Sequence, residues 1–292
     1  MSISAFIKRN PLLTYFSLAF AISWGGALLV IGGPGGIPGT PEQIEKLMLL
    51  VVMALMAGPS VAGLLLTGIV YGWTGLRELL SRLFRWRVGV RWYAVALLTA
   101  PLLAAVVIFA LSLFSPEFLP AIVKADNKVL LLVLSIVVGL CGGFLEELGW
   151  TGFAIPRLRM HYSTLTTGLI VGVLWGAWHF LVNFWGSGAS SGGVSIALFM
   201  PLYFLIGTGQ LTAFRVLMVW IYDRTGSLLL AMLMHASLIA STIFTLAPVA
   251  TGMTFLTWFL VLTVALWIVV AVVTISNGRQ VSKQPSGWNE TA

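Results

Sequence analysis

Hydrophobic residues run through this chain in long, nearly uninterrupted stretches that are separated by short polar segments. Eight stretches are long enough to cross a bilayer as an α-helix, which takes about 20 residues. The pattern predicts an all-α polytopic membrane protein in which residues 1–292 form a single membrane domain. The stretches lie at residues 12–33, 47–70, 92–115, 129–150, 165–185, 196–221, 228–247 and 254–275.

The amino-acid composition also favours a membrane location. Hydrophobic residues make up 59% of the 292 positions, charged residues make up only 9%, and the mean hydropathy is +1.01. Soluble domains carry roughly 25% charged residues, so the chain is predicted to be an integral membrane protein that contacts the lipid bilayer. The net charge of +7 indicates orientation in the membrane, and we expect no nucleic-acid partner.

Basic residues are distributed unevenly between the two sides that the eight predicted spans define. Thirteen of the 16 lysines and arginines lie at one set of alternate ends, and three lie at the other. By the positive-inside rule both termini are expected in the cytoplasm, and the protein in the plasma membrane of a prokaryote. The richer set is Lys8, Arg9, Arg77, Arg82, Arg85, Arg87, Arg91, Arg157, Arg159, Arg215, Arg224, Arg279 and Lys283, and the other is Lys46, Lys124 and Lys128.

One segment between the second and third stretches has the pattern of a surface helix. In residues 73–91, leucines recur at helical spacing on one face and arginines lie off that face. This amphipathic pattern is typical of a helix in the membrane interface, and its charge predicts the cytoplasmic side. The leucines are Leu76, Leu79, Leu80 and Leu83, and the arginines are Arg77, Arg82 and Arg85.

Ionisable side chains are almost absent from the predicted spans, and the exceptions are informative. Of the nine acids, only Glu146 and Glu147 lie at the end of a span, whereas His179 and His235 lie inside the fifth and seventh spans. Charged groups inside a bilayer are costly and are usually functional. The two carboxylates project about 100° apart on a helix, so one of them can serve only to bond a neighbouring helix.

Carboxylates and imidazoles at membrane depth suit hydrolysis by an activated water molecule. A carboxylate can take a proton from water and return it to a leaving amine. An imidazole can hold the same water, stabilise an oxyanion, or bind a zinc ion that lowers the pKa of its water to about 7. A cysteine nucleophile is less favoured because Cys141 lies in an apolar stretch. Arg215 either snorkels to the cytoplasmic interface or neutralises Glu147.

Three sequence motifs carry a resemblance to a known family. They are EELGWTGFAIPRL at residues 146–158, WGAWH at 175–179, and a run over 215–237 that contains DRTGSLLLAMLMH. In order and type they resemble the CPBP family of intramembrane proteases, which includes CAAX proteases and bacteriocin-processing enzymes and is also called the Abi family. The resemblance covers residues 140–241 and implies a catalytic core in residues 120–247, which contain the fourth to seventh spans.

The resemblance implies an intramembrane endopeptidase that acts on a peptide or protein substrate, which we expect to be membrane-associated. It assigns Glu146 and His179 to activation of the water and His235 to the oxyanion, with Trp175 and Glu147 in support. Members of the family are described as metalloproteases and also as glutamate-dependent enzymes without tightly held metal, and both chemistries stay open. In the first, Glu146, His179 and His235 would bind a divalent metal such as Zn²⁺, and Glu147 would become the base.

Two positions depart from the family pattern. The resemblance implies an arginine at position 151 and a small polar residue, usually asparagine, at position 239, where this chain has Thr151 and Ile239. Arg157 is a candidate replacement for the arginine. Asn183, one helical turn after His179, is a candidate replacement for the oxyanion donor. Without replacements the chain would be a weak or inactive relative that binds a peptide, as an immunity-type membrane factor would.

A proton-coupled transporter is a third interpretation, because Glu and His side chains can also relay protons through a membrane. It is the less favoured one, since no inverted repeat is evident in the chain.

Helix depth constrains the predicted site. If the fourth span ends at residue 150, Glu146 lies near its cytoplasmic end, whereas His179 lies some 14 residues inside a span that begins at Leu165. The groups meet more easily if the spans are strongly tilted, or if the fifth helix begins near Gly168 or Gly172.

Overall fold

The computed structural model describes residues 2–277, and these residues form an all-α protein without a β-strand. Eight of the helices in this part of the chain are long and apolar enough to cross a membrane, which confirms the predicted polytopic fold. A short helix, Ile3–Arg9, precedes them. We number the long helices α1 (Pro11–Ile31), α2 (Pro41–Leu83), α3 (Val90–Ser112), α4 (Lys128–Arg159), α5 (Thr164–Ser190), α6 (Ile196–Thr225), α7 (Leu228–Thr245) and α8 (Gly252–Ser276).

Helix α2 is broken within its length at Gly72, whose backbone has φ 61° and ψ −150°. Glycine adopts this positive φ at no steric cost, so the chain changes direction there. The helix after the break ends at Leu83, and residues 84–89 are not helical, so the predicted interfacial helix over 73–91 was too long. Within it, Leu79 is buried against Leu148 of α4, whereas Leu80 is exposed. One part of the leucine face therefore packs against the protein, and another part is exposed.

Helix α4 continues beyond the predicted end at residue 150. It passes through a π-helical turn, Trp150–Ala154, before it resumes as Ile155–Arg159. Proline has no backbone N–H to donate, and Pro156 follows this wider turn in the first turn of the resumed helix. A π-turn inside an α-helix is rare and is frequently found at a functional site.

The greater length of α4 resolves the predicted mismatch in depth. Helix α5 begins at Thr164, where Ser163 caps it, so a later start near Gly168 or Gly172 does not account for the meeting of these groups. Glu146 lies 13 residues before Arg159 and His179 lies 15 residues after Thr164. At 1.5 Å per residue, Glu146 lies roughly 20 Å from the C-terminal end of α4, and His179 lies roughly 20 Å from the N-terminal end of α5. These two helix ends are adjacent in the chain, so the two side chains reach a similar depth.

Small residues allow the central helices to approach closely. Gly172 and Gly176 on α5 face α6, and a Cβ at Gly172 would lie 2.5 Å from the Cα of Thr212. Gly139 and Gly143 on α4 lie against the backbone of α7 in the same manner. Such contacts are typical of membrane helices, which associate by packing rather than by a hydrophobic driving force.

The uneven distribution of basic residues between the two sides changes at one position, Arg215. Arg215 is buried inside the protein, so it was wrongly assigned to the cytoplasmic interface. Arg279 and Lys283 lie outside the described residues. The remaining basic residues keep the asymmetry, and the cytoplasmic location of the two termini stays a prediction.

A polar cluster connects the C-terminal ends of α4 and α6 to the N-terminal end of α5. The Nε of Arg159 lies 2.9 Å from Oδ2 of Asp223, at the end of α6, and the Arg159 side chain is buried. The hydroxyl of Thr164, at the start of α5, donates to the same carboxylate at 2.5 Å. One aspartate therefore joins the ends of α4, α5 and α6.

Replacing Asp223 by alanine should destabilise the protein. The change removes the carboxylate that faces a buried guanidinium, and breaking such a pair costs about 3 kcal/mol. A lower Tm in detergent, measured by thermal unfolding, is the expected result. Glu42→Ala is the matched control, because Glu42 pairs with Lys46 on the surface and both side chains are mostly exposed. Equal Tm values for the two variants would contradict the assignment.

Candidate active site

Four helices direct polar side chains into the centre of the protein. Helix α4 supplies two acids, α5 an indole and an imidazole, α6 a guanidinium and α7 a second imidazole. Apart from His179, which is partly exposed, these side chains are buried. The site residues are Glu146, Glu147, Thr151, Trp175, His179, Arg215 and His235.

Glu147 is the most heavily bonded member of the site. Its Oε2 accepts a hydrogen bond from Nη1 of Arg215 at 2.7 Å and another from the hydroxyl of Thr151. Its Oε1 lies 2.8 Å from Nδ1 of His235. Glu147 and Arg215 are both fully buried, so each ion has its counter-ion inside the protein. The expectation that Glu147 holds a basic partner matches this arrangement.

His235 lies between the two glutamates. Because the Glu147 carboxylate is an acceptor, Nδ1 of His235 is the protonated nitrogen that donates to it. The other ring nitrogen, Nε2, lies 4.0 Å from Oε1 of Glu146. The bond to Glu147 thus fixes the orientation of the ring and directs Nε2 toward Glu146.

Trp175 contacts four of the other six residues in the site. Its indole N–H donates to Oε2 of Glu146 at 2.7 Å. Its ring meets the ring of His235 edge-on with centroids 4.9 Å apart, and the guanidinium carbon of Arg215 lies 4.1 Å from the ring centroid. A cation above an indole face is a favourable contact. Trp175 therefore positions Glu146 and packs against the groups that hold Glu147.

His179 lies one helical turn after Trp175. Its Nδ1 donates to the carbonyl oxygen of Trp175 at 2.9 Å, because a carbonyl only accepts. Nε2 of the neutral ring consequently keeps its lone pair for another ligand. The ring also packs edge-on against Trp178 with centroids 4.7 Å apart, and it interacts electrostatically with Glu146 and His235. The structure thus brings together the three side chains for which a catalytic role was predicted.

Binding of a divalent metal by Glu146, His179 and His235 stays a prediction. Over residues 2–277, no three His, Cys, Asp or Glu side chains are grouped so that they could hold a metal ion. One carboxylate oxygen of Glu146 is bonded to the indole of Trp175, and Nδ1 of His235 is bonded to Glu147.

Neither predicted replacement reaches the cluster through a hydrogen bond described for residues 2–277. The guanidinium of Arg157 donates from Nε to the hydroxyl of Tyr71 at 3.2 Å and stacks over the ring of Phe153. Asn183 is partly buried on α5, one turn beyond His179. The arginine expected at position 151 is therefore not replaced by Arg157.

Position 239 has a packing role instead of a polar one. Ile239 is buried, and its Cδ1 would lie 2.6 Å from a Cβ at Gly142. The isoleucine fills the space that the absent side chain of this glycine leaves between α7 and α4.

Three contributions to the site could not be settled from the sequence. The ambiguity over Arg215 is resolved by its bond to Glu147, and Thr151, interpreted only as the loss of an arginine, is a second donor to that acid. Tyr15 on α1 is fully buried against Trp150, and it interacts electrostatically with Glu147 and Arg215. A tyrosine in an apolar helix gives no sequence pattern from which this contact could be predicted.

Comparison with known proteins connects the site to a family. Residues 128–239 match the family model described as type II CAAX prenyl endopeptidase Rce1-like. A segment of 39 residues is 41% identical to CAAX prenyl protease 2 of Methanococcus maripaludis, and it covers 13% of this chain and 14% of that protein. The matched region runs from the start of α4 into α7 and contains both glutamates, Trp175, His179, Arg215 and His235. Residues 128–239 of this chain are therefore similar to the Rce1-like family.

Proposed function

We propose that this protein is an intramembrane endopeptidase that hydrolyses a peptide bond with an activated water molecule. The observation that carries the proposal is the meeting of Glu146, His179 and His235 in one cluster inside the region that matches the Rce1-like family. A base, a ligand for water and an oxyanion donor are the groups that such a hydrolysis requires.

Glu146 is the general base. Its Oε2 accepts the indole N–H of Trp175, so Oε1 accepts the proton from water. The resulting hydroxide bonds to the carbonyl carbon of the scissile peptide, and a tetrahedral intermediate forms. The proton then passes from Glu146 to the leaving nitrogen as the C–N bond breaks, which releases an amine and a carboxylic acid.

His179 orients the attacking water. Because its Nδ1 donates to the Trp175 carbonyl, the lone pair on Nε2 accepts a hydrogen bond from the water. His179 is also the partly exposed member of the site, which supports a position that faces the substrate. Its backbone-anchored ring keeps the water near Glu146 and costs little reorganisation during the reaction.

His235 stabilises the oxyanion of the intermediate. With a proton on each ring nitrogen, it donates from Nδ1 to Glu147 and from Nε2 to the negatively charged oxygen. Glu147, which is itself paired with Arg215, accepts from Nδ1 and holds the ring in this direction.

We propose a CAAX-type substrate, a membrane-associated protein or peptide whose cysteine near the carboxyl end carries a prenyl group. The description of the matched family and the name of the similar archaeal protein support this substrate class. A site surrounded by apolar helices also suits a lipid-modified peptide. The proposed location is the plasma membrane of a prokaryote, with both termini in the cytoplasm.

Glu146→Gln should abolish hydrolysis of a farnesylated CAAX-type peptide by the purified protein in lipid vesicles. Glutamine cannot take a proton from water, and loss of a general base costs about 100- to 10,000-fold in rate. Release of the carboxy-terminal fragment, followed by mass spectrometry, gives the rate. Glu117→Gln is the matched control, because Glu117 is exposed on the connection between α3 and α4, where it accepts a hydrogen bond from Thr254 of α8.

Three results would overturn the proposed function. Cleavage by the Glu146→Gln variant as fast as by the parent would remove the base from the mechanism. Specific binding of the peptide without cleavage by the parent would indicate a peptide-binding membrane factor. Proton flux across the vesicle membrane that stops in Glu146→Gln, without hydrolysis, would indicate a transporter.

Removal of divalent metals should leave the hydrolysis rate unchanged within about twofold. In the proposed mechanism the side chains of Glu146 and His179 hold the attacking water, so no step depends on a metal ion. The measurement compares the parent before and after dialysis against a strong chelator, with unfolding followed in parallel. A loss of activity that added Zn²⁺ restores, without a change in Tm, would contradict this mechanism.

A further inference from the structure

Arg215 is held in a manner that folding stability alone does not explain. Its side chain is fully buried, yet within residues 2–277 Nε and Nη2 have no hydrogen-bond partner and only Nη1 is bonded, to Glu147. Unpartnered buried donors are costly, and apolar residues can often replace a buried ion pair without loss of stability. The retained charge is therefore better explained by what it does to Glu147.

The contacts of Glu147 divide between its two oxygens. Arg215 and Thr151 both donate to Oε2, so Oε1 accepts from Nδ1 of His235. The two donors come from different helices and fix the carboxylate plane. That plane sets the direction of Nε2 of His235, which faces Glu146 at 4.0 Å.

We propose that Arg215, together with Thr151, is the positioning element that keeps Glu147 ionised and directed at His235 during peptide hydrolysis. This inference rests on the proposed function. In this chain Arg215 on α6 supplies the positive charge that the family pattern implies at position 151 on α4. Arg215 touches neither water nor substrate in this role, and it acts through Glu147 and His235.

The position of Thr151 makes a relocation of the charge possible. Residues 147 and 151 lie one turn apart on α4, so a guanidinium introduced at position 151 can reach Oε2 of Glu147 from the same helix. In the present chain Thr151 and Arg215 both donate to Oε2 of Glu147. Moving the guanidinium from position 215 to position 151 is therefore a direct test.

Four variants of the full chain in lipid vesicles separate positioning from stability. They are Arg215→Ala, Arg215→Ala with Thr151→Arg, Arg215→Ala with Glu147→Gln, and Gln210→Ala as a control on the same helix. Gln210 is buried on α6, but its side-chain oxygen has no partner. Cleavage of the farnesylated peptide gives kcat and KM, and thermal unfolding gives Tm.

We expect Arg215→Ala to lower kcat about 100-fold with KM changed less than threefold, because His235 is no longer held in its reactive direction. Adding Thr151→Arg should restore at least tenfold of that loss. Adding Glu147→Gln should raise Tm toward the parent by removing the unpaired acid, without restoring kcat. Gln210→Ala should keep the parental kcat.

Two results would overturn the inference. If kcat returns with Tm in Arg215→Ala/Glu147→Gln, Arg215 serves only stability. If Arg215→Ala/Thr151→Arg folds with the parental Tm but is as slow as Arg215→Ala, the charge at Glu147 does not position the site. Absence of cleavage by the parent itself would instead remove the proposed function, and the positioning role would fall with it.

Discussion

A carboxylate inside a membrane protein persists only if other groups compensate its charge, and the Glu147–Arg215 pair is where this constraint acts. Two fully buried ions 2.7 Å apart connect α4 to α6 across 68 residues of sequence. The same carboxylate accepts from His235 on α7. The pair therefore does more than neutralise a charge, because it also decides where the imidazole of His235 points.

The two adjacent acids have different environments because they lie on different faces of one helix. Glu147 accepts three hydrogen bonds, whereas the described contacts of Glu146 include one, from the indole of Trp175 at 2.7 Å. A fully bonded carboxylate is held in place, and one with remaining acceptor capacity can take up a proton. The asymmetry expected from the family resemblance thus has a physical basis in the number of partners.

Helix geometry brings these groups to a common depth. The π-turn Trp150–Ala154 lets α4 continue to Arg159, and α5 begins only a few residues later at Thr164. Glycines on α4 and α5 remove the side chains that would hold α6 and α7 away. Trp175 then fills the space between the four helices and contacts both imidazoles and the guanidinium.

The departures from the family pattern have different meanings in the structure. Thr151 is a donor to Glu147 beside Arg215, so the missing arginine does not leave this acid without a cation. Ile239 packs against the position of Gly142 and supplies no polar group. The chain thus keeps a cation paired with Glu147, whereas it lacks the polar side chain expected at position 239.

The sequence by itself determined the eight spans and the set of four ionisable groups at membrane depth, because both follow from local hydrophobicity. The motifs likewise identified Glu146, His179 and His235. Only the tertiary structure decided that Arg215 pairs with Glu147, that Thr151 supports it, that Arg157 lies elsewhere and that Tyr15 reaches the site. These contacts depend on side-chain direction and on helices far apart in the chain, whereas a periodic pattern reports only which face of one helix is apolar.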